Sequence, residues 1–402
     1  MRTTPLLAIA LIALTGLAGC KGHGKYTKEG KEIAERRMAE LKSMNEYQQA
    51  DQAFRSGDLK KARKYIERCL AINPALDIAH VLHGRILLEQ GDLDKAAAAF
   101  SEAEQIKPEN VDAQYYLGNL YERFNQPEQA LARYTRAAEL DPASAQYAVA
   151  AAETFMDMGR LTEAEHFLTK REGTENFLHN AGVRQTLGHI AMMRGDAESA
   201  CTLFDEARLL APDDNGVLED LVRSQLSTGR WGEAEFNINR LLKMEGGKDR
   251  RDLRHMKARC LVQLDRPVEA RTVLLDLTSD DAGQKDVEAW VLLGNTAYVL
   301  RDMNRVRMSF TRVVALAPER ADGYMLRALW QRKQRDMNAA LISVERACER
   351  AGREVEPFML KGVILKEMGR MPEARAAFEA ALSLDPQNEQ ARKAVTAVPT
   401  GE

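Results

Sequence analysis

The chain is 402 residues long, with 57 Lys and Arg against 60 Asp and Glu, a formal charge of −3. That near balance argues against a protein whose main work is on nucleic acid. Charged residues make up 29% and aromatics 6%, and no run of alternating β-branched residues is long enough for a strand, so helix is expected throughout.

Met1-Arg2-Thr3-Thr4 is a short, weakly positive start, followed by an apolar run from Pro5 to Gly19. The run is too short and too abruptly ended to span a bilayer, and it has the shape of a secretory signal. Its end, Leu17-Ala18-Gly19-Cys20, resembles the bacterial lipobox. That resemblance implies a lipoprotein signal peptide over residues 1–19, cut before Cys20, which then carries lipid. Several acyl chains on one residue anchor lastingly, since each buried methylene contributes about 0.8 kcal/mol and one chain holds only marginally. The other reading is an ordinary cleaved signal that happens to contain a cysteine. Lys21 stands where, in some bacteria, an Asp retains such proteins in the inner membrane. The resemblance therefore implies an outer-membrane anchor and a chain facing the periplasm.

From Lys21 to Lys42 there are seven Lys/Arg against four Glu. Residues 20–42 are expected to form a lipid-anchored tether that becomes helical from about Glu29. Its charge either draws it to anionic headgroups or simply solvates a spacer.

The stretch from Val111 to Pro142, VDAQYYLGNLYERFNQPEQALARYTRAAELDP, reads as two amphipathic helices joined by a turn. Leu117, Gly118 and Tyr121 mark the first helix, Ala130, Tyr134 and Ala137 the second, and Pro142 closes the unit. With losses, this spacing recurs from starts near Ser43, Asp77, Val111, Ala145, Ala181, Asn215, Arg251, Val287, Ala321 and Val355. Successive starts are 34 residues apart, except for three steps of 36. The pattern resembles the tetratricopeptide repeat (TPR). The resemblance implies an all-α fold: an α-solenoid of about ten helix-turn-helix repeats over residues 43–386, each packing on its neighbours. Two-residue insertions near 175–180, 248–251 and 282–286 are expected to act as joints between sub-arrays. Residues 387–402 then supply a capping helix and a loose tail.

Within a unit, a small residue on the first helix (Gly84, Gly118, Gly188, Gly294, Gly362) admits the second helix closely. Glycine costs about 1 kcal/mol inside a helix, so its recurrence needs a packing reason. Alanines face it, from Ala62 and Ala96 to Ala340 and Ala374, and Phe100, Tyr134, Phe204, Phe310 and Phe378 fill the space beyond. Four units lack the closing proline and offer Gly173, Gly246-Gly247, Gly283 and Gly352, which are expected to end a helix in the left-handed conformation. Val222, Val306, Arg327 and Lys361 break the pattern, and distortion is expected around them.

Cys69, Cys201, Cys260 and Cys348 fall in predicted helices of separated repeats, without zinc-site spacing, and read as buried small hydrophobes. His80 and His83 sit one helical turn apart, but at places that pack between helices, with no third ligand near. With no phosphate loop and no nucleophile elbow, the chain is expected to be non-enzymatic, without cofactor or metal.

In tetratricopeptide proteins the first helices line a concave face whose variable positions touch the ligand. Carried over, that face includes Arg85, then Tyr115, Asn119, Glu122 and Arg123, then Gln185, His189 and Met192. Asn295, Tyr298, Met325, Arg332 and Lys333 continue it, with Val81 and Val291 among its apolar members. Its mixed polarity suits an extended peptide or a helix of a protein partner. The Lys/Asn/Arg set with which some relatives clamp a terminal carboxylate is not in register.

Residues 77–170 carry eight Lys/Arg and sixteen Asp/Glu, net −8; residues 301–353 carry twelve and six, net +6. This polarity either steers a partner or is surface drift. The expected role is a lipid-anchored scaffold assisting assembly of an outer-membrane, secretion or pilus complex. The alternative is a lipoprotein of a polysaccharide-export or peptidoglycan-associated machine, with a glycan in the groove.

Overall fold

A computed structural model describes residues 25–170, 177, 179–244 and 246–398. The signal-like run, Cys20, Lys21 and Gly173 lie outside the described residues. Among the described residues the fold is all helical, with no strand.

The chain divides into two compact units, Met1–Thr186 and Leu187–Glu402. In the first, α1 (Lys25–Arg55) pairs with α2 (Leu59–Ile72), and α3 (Asp77–Glu89) with α4 (Leu93–Ile106). Next come α5 (Val111–Arg123) with α6 (Pro127–Leu140), and α7 (Ala145–Asp157) with α8 (Leu161–Thr169). The division falls within α9 (Ala181–Met193).

The second unit continues with α10 (Ala197–Leu210), then α11 (Asn215–Ser227) on α12 (Trp231–Lys243) and α13 (Arg251–Gln263) on α14 (Pro267–Leu277). The hairpins α15 (Val287–Val299) with α16 (Met303–Leu316), α17 (Ala321–Lys333) with α18 (Met337–Cys348), and α19 (Glu356–Glu367) with α20 (Met371–Leu384) follow. The short α21 (Glu389–Thr396) packs on α20. The first helices from α3 to α17 begin at the residues where the sequence units begin; α1 starts earlier, at Lys25.

One turn recurs inside the hairpins. Gly57, Gly91, Asn125, Gly159, Gly195, Gly229, Asp265, Arg301, Arg335 and Gly369 all take the left-handed conformation, with φ from 54° to 80°. The next residue donates its N–H to the carbonyl five residues back, as Asp58 does to Ala53 and Arg370 to Leu365, both at 2.9 Å. These bonds satisfy carbonyls that a helix end would otherwise leave unpaired. Asp58 and Asp302 then cap the second helix, accepting from the N–H of Lys61 (3.0 Å) and Arg305 (3.1 Å).

The glycines that stand in for closing prolines divide into two kinds. Gly246 and Gly352 are left-handed as expected, with φ of 74° and 55°. Gly247 and Gly283 are not: each opens a 3-10 turn, Gly247–Asp249 and Gly283–Lys285, where a Cβ would overlap the carbonyl of Leu241 or Leu277. Glycine answers a close backbone approach at both places, which corrects the expectation of a left-handed stop.

Packing between the helices of a hairpin follows matched sizes. Rings of Phe100, Tyr134, Phe204 and Phe378 lie on Gly84, Gly118, Gly188 and Gly362; a Cβ would stand 2.5 Å from the ring at Gly84 and 2.6 Å at Gly118 and Gly188. Where the first helix has alanine, the ring's place holds an aliphatic residue. Ala50 goes with Ile66, Ala152 with Leu168, Ala258 with Leu274 and Ala328 with Val344, all fully buried. Val222 goes with Ile238, also buried in one cluster. In the glycine and alanine hairpins the larger residue on one helix is offset by a smaller one on the other; Val222 is bulkier than either, and Ile238 is no smaller than the Ile66 that faces Ala50.

The hairpin of α15 and α16 does depart. Phe310, expected to fill the space at Gly294, is only half-buried and leans on Trp330, 5.8 Å between centroids. Leu326 from α17 and Ser309 meet Gly294 instead. Val306 is fully buried at the alanine place. Lys361 reaches Glu345 at 3.2 Å instead of packing in the core.

Two of the insertions form 3-10 turns, Gly247–Asp249 and Gly283–Lys285. The second is held firmly: Trp290 donates to the carbonyl of Gly283 at 3.1 Å, and Arg251 to that of Leu277 at 2.7 Å and to Asp286 at 2.9 Å. Cys69, Cys201, Cys260 and Cys348 are free thiols; the first three are buried, whereas Cys348 is only partly so, against expectation.

Candidate partner-binding face

First helices of consecutive hairpins touch one another. In the first unit α1 meets α3 and α3 meets α5; in the second α13 meets α15, α15 meets α17 and α17 meets α19. Each unit therefore presents a row of first-helix side chains, the row on which the sequence places the binding residues.

In the first unit, the Arg85 guanidinium lies between two rings, 4.8 Å from the centroid of Phe54 and 5.2 Å from that of Tyr116. It thus ties α1, α3 and α5 together by cation–π attraction. Tyr115 is half-buried beside Tyr116, Tyr134 and Tyr147, at 5.2, 5.6 and 5.4 Å between centroids. Asn119 turns back and donates to the carbonyl of Tyr115 at 3.3 Å. Glu122, exposed, accepts from the Thr154 hydroxyl, and Asp112 from that of Tyr147, each at 3.3 Å. Burial pushes the phenols of Tyr134 and Tyr147 up, the latter to about 12, and the nearby carboxylates of Glu122 and Asp112 push them further. Arg123 is exposed and Gln185 half-buried.

In the second unit, His189 Nε2 stands 2.8 Å from Asp220 Oδ2. Met192 packs at the edge of the cluster around Phe204 and Leu221. Asn295 is exposed, and Lys333 lies over the half-buried Tyr298 ring, Nζ at 5.7 Å. Arg332 donates to Glu367 on α19, Nε to Oε2 at 2.8 Å, and holds that carboxyl below its usual range. Met325 is half-buried against Tyr324 and Ala347.

Several of these residues thus serve the chain itself. Arg85, His189 and Arg332 bridge neighbouring helices, whereas Glu122, Arg123, Asn295 and Lys333 are exposed. Val81 and Val291, expected on the face, are 5% and 6% exposed and belong to the core; each points between helices, where apolar burial outweighs display. Tyr116 and Tyr147 escaped the sequence reading although they complete the aromatic cluster. Their signal was present: they occupy first-helix places that meet the preceding hairpin.

The histidine pair makes no joint site. His80 Nε2 is 2.8 Å from the carbonyl of Pro74, while His83 Nε2 is buried without a partner and burial lowers its proton affinity. Among the described residues, no three His, Cys, Asp or Glu are placed to hold a metal ion, and no helix is long and apolar enough to cross a membrane.

Helical hairpins in register, with first helices side by side, define a repeat protein of the helix-turn-helix class. Residues 47–76, 84–123, 115–172 and 355–388 match the tetratricopeptide repeat, and the chain carries these repeats. It is similar to the Protein CTR9 homolog of Arabidopsis thaliana, 29% identical over 188 residues, which cover 40% of this chain and 17% of that protein. It is also similar to Tetratricopeptide repeat protein 36 of Homo sapiens, 34% identical over 101 residues, 24% of this chain and 53% of that one. The chain therefore spans less than two thirds of the length of either relative.

Three solved structures are similar to this chain. Pseudomonas aeruginosa PilF is 18% identical, with 50% of this chain and 90% of that one covered and a TM-score of 0.43. PilW, a widely conserved type IV pilus biogenesis factor, is 20% identical, with 52% and 97% covered and a TM-score of 0.45. Yeast Tom70 is 15% identical, with 88% and 87% covered and a TM-score of 0.42.

Proposed function

We propose that this chain is a non-enzymatic, protein-binding scaffold, lipid-anchored through Cys20 at the outer membrane and facing the periplasm, where it assists assembly of a secretion or pilus complex. The observation that carries the binding role is the row of first helices in each unit, with exposed Glu122 and Arg123 beside half-buried rings in the first and exposed Asn295 and Lys333 beside the half-buried Tyr298 ring in the second. Such a surface can grip an extended segment or a helix through mixed polar and apolar contacts. The envelope placement is supported by Leu17-Ala18-Gly19-Cys20 at the end of the apolar run.

Capture from cell envelopes with the anchored protein tests the role. A protein partner should remain bound at physiological salt, and should be lost when Tyr115 and Glu122 are replaced together. Cys20→Ser should leave the chain in the soluble periplasm or stall its maturation; unchanged membrane association overturns the anchor.

The cluster of Tyr115, Tyr116 and Tyr147 favours one second reading, a glycan partner stacked on aromatic rings. Retention of glycan without protein in the same capture would establish it.

A further inference from the structure

We propose that the face of the first unit takes a cationic peptide segment, an Arg or Lys side chain seating on Tyr115 and Tyr147 between the carboxylates of Asp112 and Glu122. The inference rests on the peptide-binding reading above and adds the chemistry of the peptide.

The molecule already shows how this face holds a cation. Arg85 lies between Phe54 and Tyr116, rings from the hairpins before and after its own. One hairpin further on, the place of Arg85 belongs to Asn119, which is short, uncharged and bonded back to the carbonyl of Tyr115. Leu88 and Ala150 stand there in the places of Phe54 and Tyr116, and the rings and acids lie about a turn or two to either side: Tyr115 meets Tyr147, Asp112 bonds the Tyr147 hydroxyl, and Glu122 bonds the Thr154 hydroxyl. Both carboxylates are exposed and both are bonded by neutral hydroxyls, which leaves their charge to act on a ligand. Asp51, by contrast, is paired with Arg55 at 2.7 Å.

The wider field has the same sign, since residues 77–170 carry eight cations against sixteen acids. A negative field over aromatic faces attracts cations and disfavours acidic segments.

The test uses the full chain and three blocked peptides alike in length and apolar content, one Arg-rich, one Gln-rich and one Glu-rich, followed by fluorescence anisotropy. The Arg-rich peptide should bind at least about tenfold tighter than the Glu-rich one, and raising salt should narrow that gap. Asp112→Asn with Glu122→Gln, nearly isosteric, should weaken the Arg-rich peptide about fivefold or more. Glu102→Gln with Glu128→Gln removes the same charge from exposed places on α4 and α6, lowering only the wider field, and should weaken binding less than about twofold. An equal loss from both pairs would reduce the effect to net charge and overturn the assignment.

Equal binding of all three peptides, still lost in Tyr115→Leu, would keep the face as a peptide site and overturn its cationic preference. Binding of none of them, or of a neutral chitooligosaccharide in their place, would overturn both.

Discussion

The Cα of Gly118 on α5 lies so close to the ring of Tyr134 on α6 that a methyl group at Gly118 would stand 2.6 Å from it. The ring is 1% exposed and is enclosed by Ala130, Leu131 and Ala151, so it cannot swing away cheaply. Gly118→Ala should therefore destabilise the chain by about 1–3 kcal/mol despite the better helix propensity of alanine. Adding Tyr134→Leu recreates the combination found at Ala152 and Leu168 and should restore much of the loss. Denaturant midpoints of the single and double variants check this; strictly additive losses would show that the two positions are not size-coupled.

Arg301 and Arg335 hold φ of 58° and 63° in turns where most hairpins place glycine. A side chain with a Cβ is strained there, whereas glycine is not, although glycine also loosens the unfolded chain. The first effect is the larger, so Arg301→Gly and Arg335→Gly should each stabilise by about 0.5–1 kcal/mol. Gly91→Ala, the converse change at φ 78°, should destabilise by a similar amount. Thermal unfolding of the three variants provides the comparison.

Arg85 contributes through its two rings and through the packing of its half-buried side chain. Arg85→Ala should cost about 1–2 kcal/mol, and Arg85→Lys less, since an ammonium keeps the charge but not the flat stacking surface. Tyrosine near-ultraviolet dichroism should change with the first substitution and far less with the second.

The thiols of Cys69 and Cys260 are pushed up by burial to about 11, from an ordinary value of 9.0. An unfolded chain would lose those protons first, so ionisation favours the unfolded state. Their contribution to stability is full below about pH 9 and falls as pH rises towards about 11. Denaturant midpoints measured across that window should decline less steeply in a Cys69→Ala, Cys260→Ala variant. At neutral pH both thiols should also resist alkylation until the chain unfolds.

The repeat was legible in the sequence because its marks are covalent and periodic: Gly118, Ala130, Tyr134 and Pro142 recur at fixed spacing, and the helix starts follow them. The intra-hairpin turn was less legible, because Asn125, Asp265, Arg301 and Arg335 occupy a glycine place that only backbone angles reveal. Size exchange between Ala152 and Leu168 was hidden for a different reason: each residue looks irregular alone and regular only beside its partner. The same limit applied to the face. Sequence could place Arg85 on it, but not show that Phe54 and Tyr116, from two other hairpins, already hold its guanidinium.

The left-handed turns also say where this chain can change length. Asp77 to Gly91, Arg251 to Asp265 and Val287 to Arg301 are the same distance in sequence, while the extra residues at Gly247–Asp249 and Gly283–Lys285 all precede the next first helix. Additions there displace whole hairpins without putting any helix out of step with its own partner. A lineage could lengthen or trim such connections, or duplicate a hairpin between them, and keep every interior contact within the copies intact. The same connections are where an epitope or a fluorophore could be spliced in with least harm, Gly247–Asp249 before the more tightly clamped Gly283–Lys285.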